Sequence, residues 1–417
     1  MIYRLLAVAF IFVATSIAWA ILGGTILART NSSDERLRSR IQSVWGVPQI
    51  QQVPLAEYFV AIPSQKFVAD GGTTKSVETT TQERHSVAPS SSDLAVGLNL
   101  EYRQKGLQWY STYKVDFRGD YEYRNPDTVV RRMRLTLRFP AAQAVYDGLE
   151  FVVDGRPVTP AVGPESASVS VDLGPQQSAQ LRVSYKSQGL DSWRYSFGER
   201  VNPVQNFRLR MTTDFKDIDF PDNTLSPTAK RATGPGWQLD WTYTNLLSGY
   251  EIAMAMPAKL QPGALASEIS FFAPVSLFFF FFVMFVLTTT RDIEIHPMNY
   301  FFLAAAFFAF HLLLAYLVDH LNIYVSFGIS SVVSVLLVVT YLRIVVGSRF
   351  ALREAAFAQF IYLVLFSFAF FFKGFTGLAV TVGAILTLFL AMQMTGKIRW
   401  AEKFRPTSPP PLPLPSR

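Results

Sequence analysis

Few side chains in this 417-residue sequence could act together as acid, base or metal ligand, and they gather in recognisable places. The decapeptide RDIEIHPMNY, residues 291–300, brings Arg291, Asp292, Glu294 and His296 into one polar stretch between two strongly apolar runs. Two more of the four histidines, His311 and His320, lie in the next apolar run and at its exit. A metal centre would need them to converge. A continuous helix from His296 to His320 instead separates them by ~36 Å, far beyond shared coordination. The His-Glu-x-x-His spacing of a helical zinc site does not occur either. Each polar residue of the decapeptide also has a boundary role. Pro297 suits a first helical turn, Asp292 and Glu294 suit the positive end of a helix, and Arg291 and Tyr300 suit a membrane interface.

His311 raises a different chemistry, because it lies within an apolar run and the following run carries Ser330, Ser331 and Ser334 at comparable depth. A serine beside a histidine is the start of a nucleophilic pair. Neither an orienting third group nor oxyanion donors can be assigned, however, and hydrogen bonding between helices accounts for the same residues. A polar interhelical contact among these four residues is expected. In TTDFKDIDFPDN, Asp214, Asp217, Asp219 and Asp222 are dense enough to attract calcium but lack the Asp-x-Asp-x-Asp-Gly loop, so a solvated turn is expected. The chain has no cysteine, which excludes thiol chemistry and Cys-based metal sites. The residues point to no catalytic group, metal or cofactor.

The segments that carry these residues are of two kinds. Half of the chain is hydrophobic while charged residues make up 17%, as expected of a chain divided between lipid and water. Residues 5–28 are uncharged and long enough to cross ~30 Å of hydrocarbon. Five more apolar runs, 269–289, 298–318, 323–346, 355–372 and 375–395, each approach the ~20 residues that a crossing needs. Ala18-Trp19-Ala20 has the small-x-small pattern of signal cleavage, but the run stays apolar to Ala28, which favours an uncleaved anchor. Arg4, Arg291, Arg343, Arg349 and Arg353, with Lys397, Arg399, Lys403 and Arg405, fall on one side of these spans. That distribution makes both termini cytoplasmic and the long middle region exported. The net charge of +7 goes with these loop ends, since no basic, aromatic-interleaved motif for nucleic acid is present.

In the middle region, a short helical stretch capped near Asn31 is broken at Gly46 and Pro48, and LAEYFVAIP reads as a strand ending at Pro63. Residues 70–93, rich in Gly, Ser and Thr without apolar periodicity, read as a loop or linker. From Leu98 onward short β-branched and aromatic runs recur between turn residues, the pattern of an all-β sandwich. In VVRRMRLTLRF, Met133, Leu135, Leu137 and Phe139 alternate with Arg132, Arg134, Thr136 and Arg138. The arginines form either an ordinary solvated face or a stripe facing anionic lipid or envelope polymer. Tyr185, Trp193 and Tyr195 could stack on a sugar, though core packing is the expected role.

One anchor, a β-rich middle and a five-run tail resemble the architecture of the CreD family of bacterial inner-membrane proteins. HPMNY resembles that family's opening of the third span, through His296, Pro297, Met298 and Tyr300, and Asp319-His320 of VDHLN resembles its exit. WGVPQIQQVPLAEYFVAIP and EYRQKGLQWYSTYKVDF are similar to further family segments. The resemblance implies a role in cell-envelope integrity and brings with it no catalytic residues or cofactors. The expected map is a transmembrane helix over 1–29, a juxtamembrane segment and linker over 30–97, and an exported β-rich domain over 98–267. A five-span bundle over 268–396 and a Pro-rich cytoplasmic tail over 397–417 complete it. The expected partners are the bilayer and an envelope component or membrane protein, with no nucleic acid; a transporter and an intramembrane hydrolase are the competing functions. Oligomeric state is not legible.

Overall fold

The structure, a computed structural model, describes residues 2–70, 73–105, 108–142, 144–198, 201–372 and 374–396. The Pro-rich tail lies outside the described residues. The chain forms two compact units, one of Met1–Glu35 with Leu260–Arg417 and one of Arg36–Lys259.

Helix α1 runs unbroken over Ile2–Trp45. The expected new cap near Asn31 is not used: the helix runs through it, and Ser32, Ser39 and Ser43 turn their hydroxyls back onto the carbonyls of Arg29, Arg36 and Arg40. The helix stops where predicted. Gly46 takes φ 119°, and a Cβ there would lie 2.7 Å from the Gln188 carbonyl oxygen.

The Arg36–Lys259 unit holds strands β1 (Gln49–Gln52), β2 (Leu55–Asp70), β3 (Thr73–Val87), β4 (Ser91–Lys105), β5 (Gln108–Arg124), β6 (Arg131–Arg138), β7 (Tyr146–Val153) and β8 (Arg156–Val158). It continues with β9 (Ala161–Val162), β10 (Ser166–Leu173), β11 (Ser178–Leu190), β12 (Ser192–Ser196), β13 (Asn202–Thr213), β14 (Ala229–Ala232), β15 (Trp237–Ser248) and β16 (Ile252–Ala255). They make an eight-stranded sheet, β14-β15-β13-β4-β5-β11-β7-β8, a five-stranded sheet, β3-β2-β6-β10-β9, and a small third sheet, β1-β12-β16. Alternate residues of the two large sheets, such as Leu94, Val96 and Phe117 against Leu135, Leu137 and Ala167, share one core with Trp193 and Met254 of the small sheet. This is the expected sandwich with an added sheet. Asp154 and Gly155, at φ 48° and 78°, make the two-residue turn that joins β7 to β8.

Two expectations are corrected. The stretch 70–93 is not a linker: β3 occupies Thr73–Val87 and β4 begins at Ser91. Among the described residues strand β3 pairs with β2 alone and none of residues 79–87 is buried, so its sequence carries no alternation. Strand β2 also runs past Pro63 to Asp70. Its second neighbour, β6, pairs only at Leu55–Glu57, so at Pro63 β2 is an edge strand, the place in a sheet where proline is tolerated.

In the other unit, α2 (Pro262–Thr290), α3 (Pro297–Leu317), α4 (Ile323–Val345), α5 (Ser348–Phe371) and α6 (Thr376–Thr395) join α1. All six are long and apolar enough to cross a membrane. Helix α2 begins at Pro262, ahead of the expected boundary at residue 268, because Pro262 supplies a first helical turn. Phe280, Leu303, Phe307, Phe310, Val338, Leu342 and Leu363 build its core, with the Phe280 and Phe307 rings 4.7 Å apart. Helix α5 widens into i→i+5 turns at Ala351–Ala355 and Phe360–Leu365. On α6 only Thr387 and Ala391 are buried among the described residues, so most of its apolar surface faces outward.

Candidate functional site

The decapeptide is a helix-to-helix turn. Helix α2 ends at Thr290, Asp292 takes φ 52°, and His296 caps α3, its Nδ1 accepting from the Met298 N–H at 3.2 Å. Pro297 opens the helix and Met298 is half exposed. Arg291 does more than mark an interface: it pairs with Glu354 of α5 at 2.5 Å. Tyr300 is buried, its ring edge-on to Phe281 at 5.2 Å. Its neighbour Asn299 accepts from the Tyr341 hydroxyl at 2.6 Å and ties α3 to α4.

At the far end of α3, Asp319 pairs with Arg29 of α1 at 2.9 Å while His320 is exposed. The same guanidinium donates to the Ala315 carbonyl at 2.7 Å, meeting an end-of-helix acceptor that has no partner in the ladder. His296 and His320 therefore stand at opposite ends of one helix and share no ligand.

His311 is buried, with Nδ1 bonded to the Phe307 carbonyl one turn back at 2.9 Å and its ring edge-on to Trp19 at 5.6 Å. The expected contact with serines is not made. Ser331 donates to the Phe327 carbonyl of its own helix, and Ser330 Oγ and His311 Nε2 each have no hydrogen-bond partner among the described residues. Ser334 is the interhelical member: it donates to the Ala306 carbonyl at 2.7 Å and accepts from Gln359 Nε2 at 2.9 Å, so three helices meet at one hydroxyl. Gln359 was missed by sequence reasoning, although it is the only amide in residues 355–372. The orphaned atoms Trp19 Nε1, His311 Nε2, Ser330 Oγ and Gln359 Oε1 all lie in this interior.

In the β unit, Tyr185, Trp193 and Tyr195 are core residues, and the Tyr185 hydroxyl meets Gln51 Oε1 at 2.7 Å. Burial pushes the Tyr185 and Tyr195 hydroxyls well above their ordinary pKa. Of the aspartate group, Asp214 accepts from the Leu100 N–H and Asp219 joins a backbone bridge to Ala255, while Asp217 and Asp222 are exposed. Among the described residues no three His, Asp or Glu side chains are placed to hold a metal ion.

Arg132, Arg134 and Arg138 do share the outer face of β6 and are exposed. They lie opposite Asp172, Ser170 and Ser166 of β10, and Glu57 of β2 lies opposite Arg134. Arg134 rests over the Phe59 ring at 5.8 Å, and Arg84 of β3 pairs with Glu57 at 3.2 Å. None of the three β6 arginines has a carboxylate within ion-pair distance among the described residues. By contrast Arg131, Arg182, Arg194 and Arg210 are all paired. Two cavities, of about 700 and 750 Å³, adjoin this face and share Gln52, Leu55, Arg84 and Arg138 in their walls.

No curated protein matches the chain. Among solved structures, a nutrient-binding protein from Legionella pneumophila aligns over 47% of this chain and 74% of its own at 8% identity, with a TM-score of 0.32. An M1 zinc metallopeptidase from Deinococcus radiodurans aligns over 41% of this chain and 42% of its own at 12% identity, with a TM-score of 0.27. A mutant of that enzyme bound to a Tyr-Ser-Ala substrate aligns over 66% of this chain and 94% of its own at 10% identity, with a TM-score of 0.28. The family described as Inner membrane protein CreD matches residues 1–401, nearly the whole sequence, and with its six apolar helices and its large β unit the chain belongs to that family.

Proposed function

We propose that this inner-membrane protein is a non-enzymatic scaffold for the cell envelope, in which the helices anchor a β unit that contacts an envelope component or a membrane partner on the exported side. The observation that carries this reading is the arginine face of β6, three exposed cations on one sheet face with no carboxylate within ion-pair distance among the described residues. Charge left unpaired on a sheet face is available to an external anion. The orientation is supported by the basic loop ends. Arg291 and Glu354 pair, which brings the α2–α3 turn to the same end of the bundle as Arg349 and Arg353, the cytoplasmic end by charge. Both termini are then cytoplasmic and Arg36–Lys259 is exported.

The test is complementation of a deletion strain under envelope stress by an Arg132→Gln, Arg134→Gln, Arg138→Gln variant. Loss of envelope support with normal protein level is expected. Full support from the triple variant would overturn the reading. Transport is a second reading, favoured by the orphaned polar atoms near Trp19, His311, Ser330 and Gln359. Substrate counterflow in proteoliposomes, abolished by Gln359→Leu, would establish it in place of the scaffold.

A further inference from the structure

The two cavities beside β6 differ in chemistry. The first is walled by the β1–β2 turn, the end of β3 and the start of β13, with Val53, Val87, Phe197, Pro203 and Val204 among its apolar residues. Its described walls contain two arginines, Arg84 and Arg138, and no carboxylate. The second lies on the outer sheet face and is polar, with Arg134, Thr136, Glu165 and Ser166 around it. Its other acid, Glu57, is already engaged by Arg84 at 3.2 Å, so the cations outnumber the available acids. Arg84 and Arg138 belong to both walls, so the cavities adjoin at a cationic neck, with an apolar lobe on one side and a polar lobe on the other.

We propose that these adjoining cavities bind an anionic amphiphile, with its phosphate on the unpaired Arg138 beside the Arg84–Glu57 pair, its apolar chain in the lobe beside Phe197 and Val204, and its hydroxyl-bearing head toward Thr136 and Ser166. Guanidinium groups match phosphate oxygens through paired N–H donors, which makes the neck the anion site. An apolar cavity with a few convergent polar groups and a volume of this order is the usual form of a small-molecule site. A polymer of sugars alone would leave the apolar lobe unfilled, and inorganic phosphate would leave both lobes unfilled. The proposal rests on the scaffold reading, and it names the envelope component as a phosphate-bearing lipid.

The experiment uses the full chain in phosphatidylcholine nanodiscs, titrated with dihexanoylphosphatidic acid, dihexanoylphosphatidylcholine and inorganic phosphate, against empty nanodiscs as the blank. Phosphatidic acid is expected to bind saturably and more tightly than the other two, with binding about tenfold weaker in Arg138→Gln and unchanged in Arg210→Gln, whose arginine pairs with Asp240 elsewhere. Val204→Asn, verified as folded by circular dichroism, should weaken phosphatidic acid while leaving inorganic phosphate unchanged. Equal binding of phosphate and phosphatidic acid would overturn the amphiphile assignment, and so would no saturable binding or an unaffected Arg138→Gln. Envelope support scored in the same variants keeps the two readings apart: loss of support without lipid binding leaves the scaffold standing and removes only this ligand.

Discussion

Ser334 and His311 look alike in the sequence, each a polar residue in an apolar run, and the structure gives them different work. Ser334 joins α3, α4 and α5 through Ala306 and Gln359, whereas His311 bonds only to its own helix. Ser334→Ala should therefore weaken the bundle by ~0.6–2 kcal/mol, since it removes two interhelical bonds. His311→Leu should cost less, and SDS-titration unfolding of the two variants side by side checks the order; a larger loss for His311→Leu would place the key contact elsewhere. The Pro297 boundary was legible because first-turn chemistry acts within a few residues, whereas the His296 cap was not read. Arg29–Asp319 and Arg291–Glu354 were not, because a charge gives no hint of a partner brought near only by tertiary folding. The aligned depth of Ser334 was legible; its choice of Gln359 over His311 depends on helix rotation, which apolar spans with no polar face do not encode.

Among the elements, strands with one buried face were easy to find and those without were not. The alternation of Met133, Leu135 and Leu137 located β6 to within about two residues at each end. The Thr-rich β3 passed as a linker because a ribbon paired on one edge has no inside. Strand β4 does carry a signal ahead of Leu98, since Leu94, Val96, Leu98 and Leu100 alternate. The β-sheet core also sets an alkaline limit. Tyr121, Tyr123 and Tyr185 are buried, and burial raises each hydroxyl's pKa well above the ordinary value. A raised folded-state value means that their contribution to stability is complete below the unfolded pKa of about 10 and is lost as pH rises beyond it. Tyrosinate absorbance and far-UV circular dichroism, followed from pH 9 to 12 on the full chain, should show a late group of tyrosines that ionise only as the β signal disappears. Ionisation of all tyrosines near pH 10 with the β signal intact would contradict this burial.

For the whole molecule, the sorting of apolar and polar sequence revealed the division into helices and β unit, because lipid and water select different compositions over long stretches. Its boundaries moved: the polar end of α1, from Arg36, belongs with the strands, and the β unit ends at Lys259. The proposed orientation is checked by cysteine labelling in intact cells. A cysteine replacing Asn245, an exposed residue of β15, should react with a membrane-impermeant reagent, and one replacing Ser408 should react only after permeabilisation. The reverse pattern would invert the topology.

The helical unit is assembled from two pieces of chain that are far apart in sequence. Ser267 of α2 donates to the Gly23 carbonyl of α1 at 2.9 Å, and Trp19 packs edge-on against Phe308 of α3 at 5.5 Å. Between these pieces lie residues 36–259, and at ~5–20 residues per second a ribosome needs roughly 10–45 s to make that stretch. Throughout that interval the newborn α1 has no helix to receive its indole or its Gly23 carbonyl. The β unit meanwhile has its whole sequence and can complete its sheets. Order of birth thus brings the anchor into the bilayer ahead of α2–α6 and makes it wait longest of the six for its neighbours.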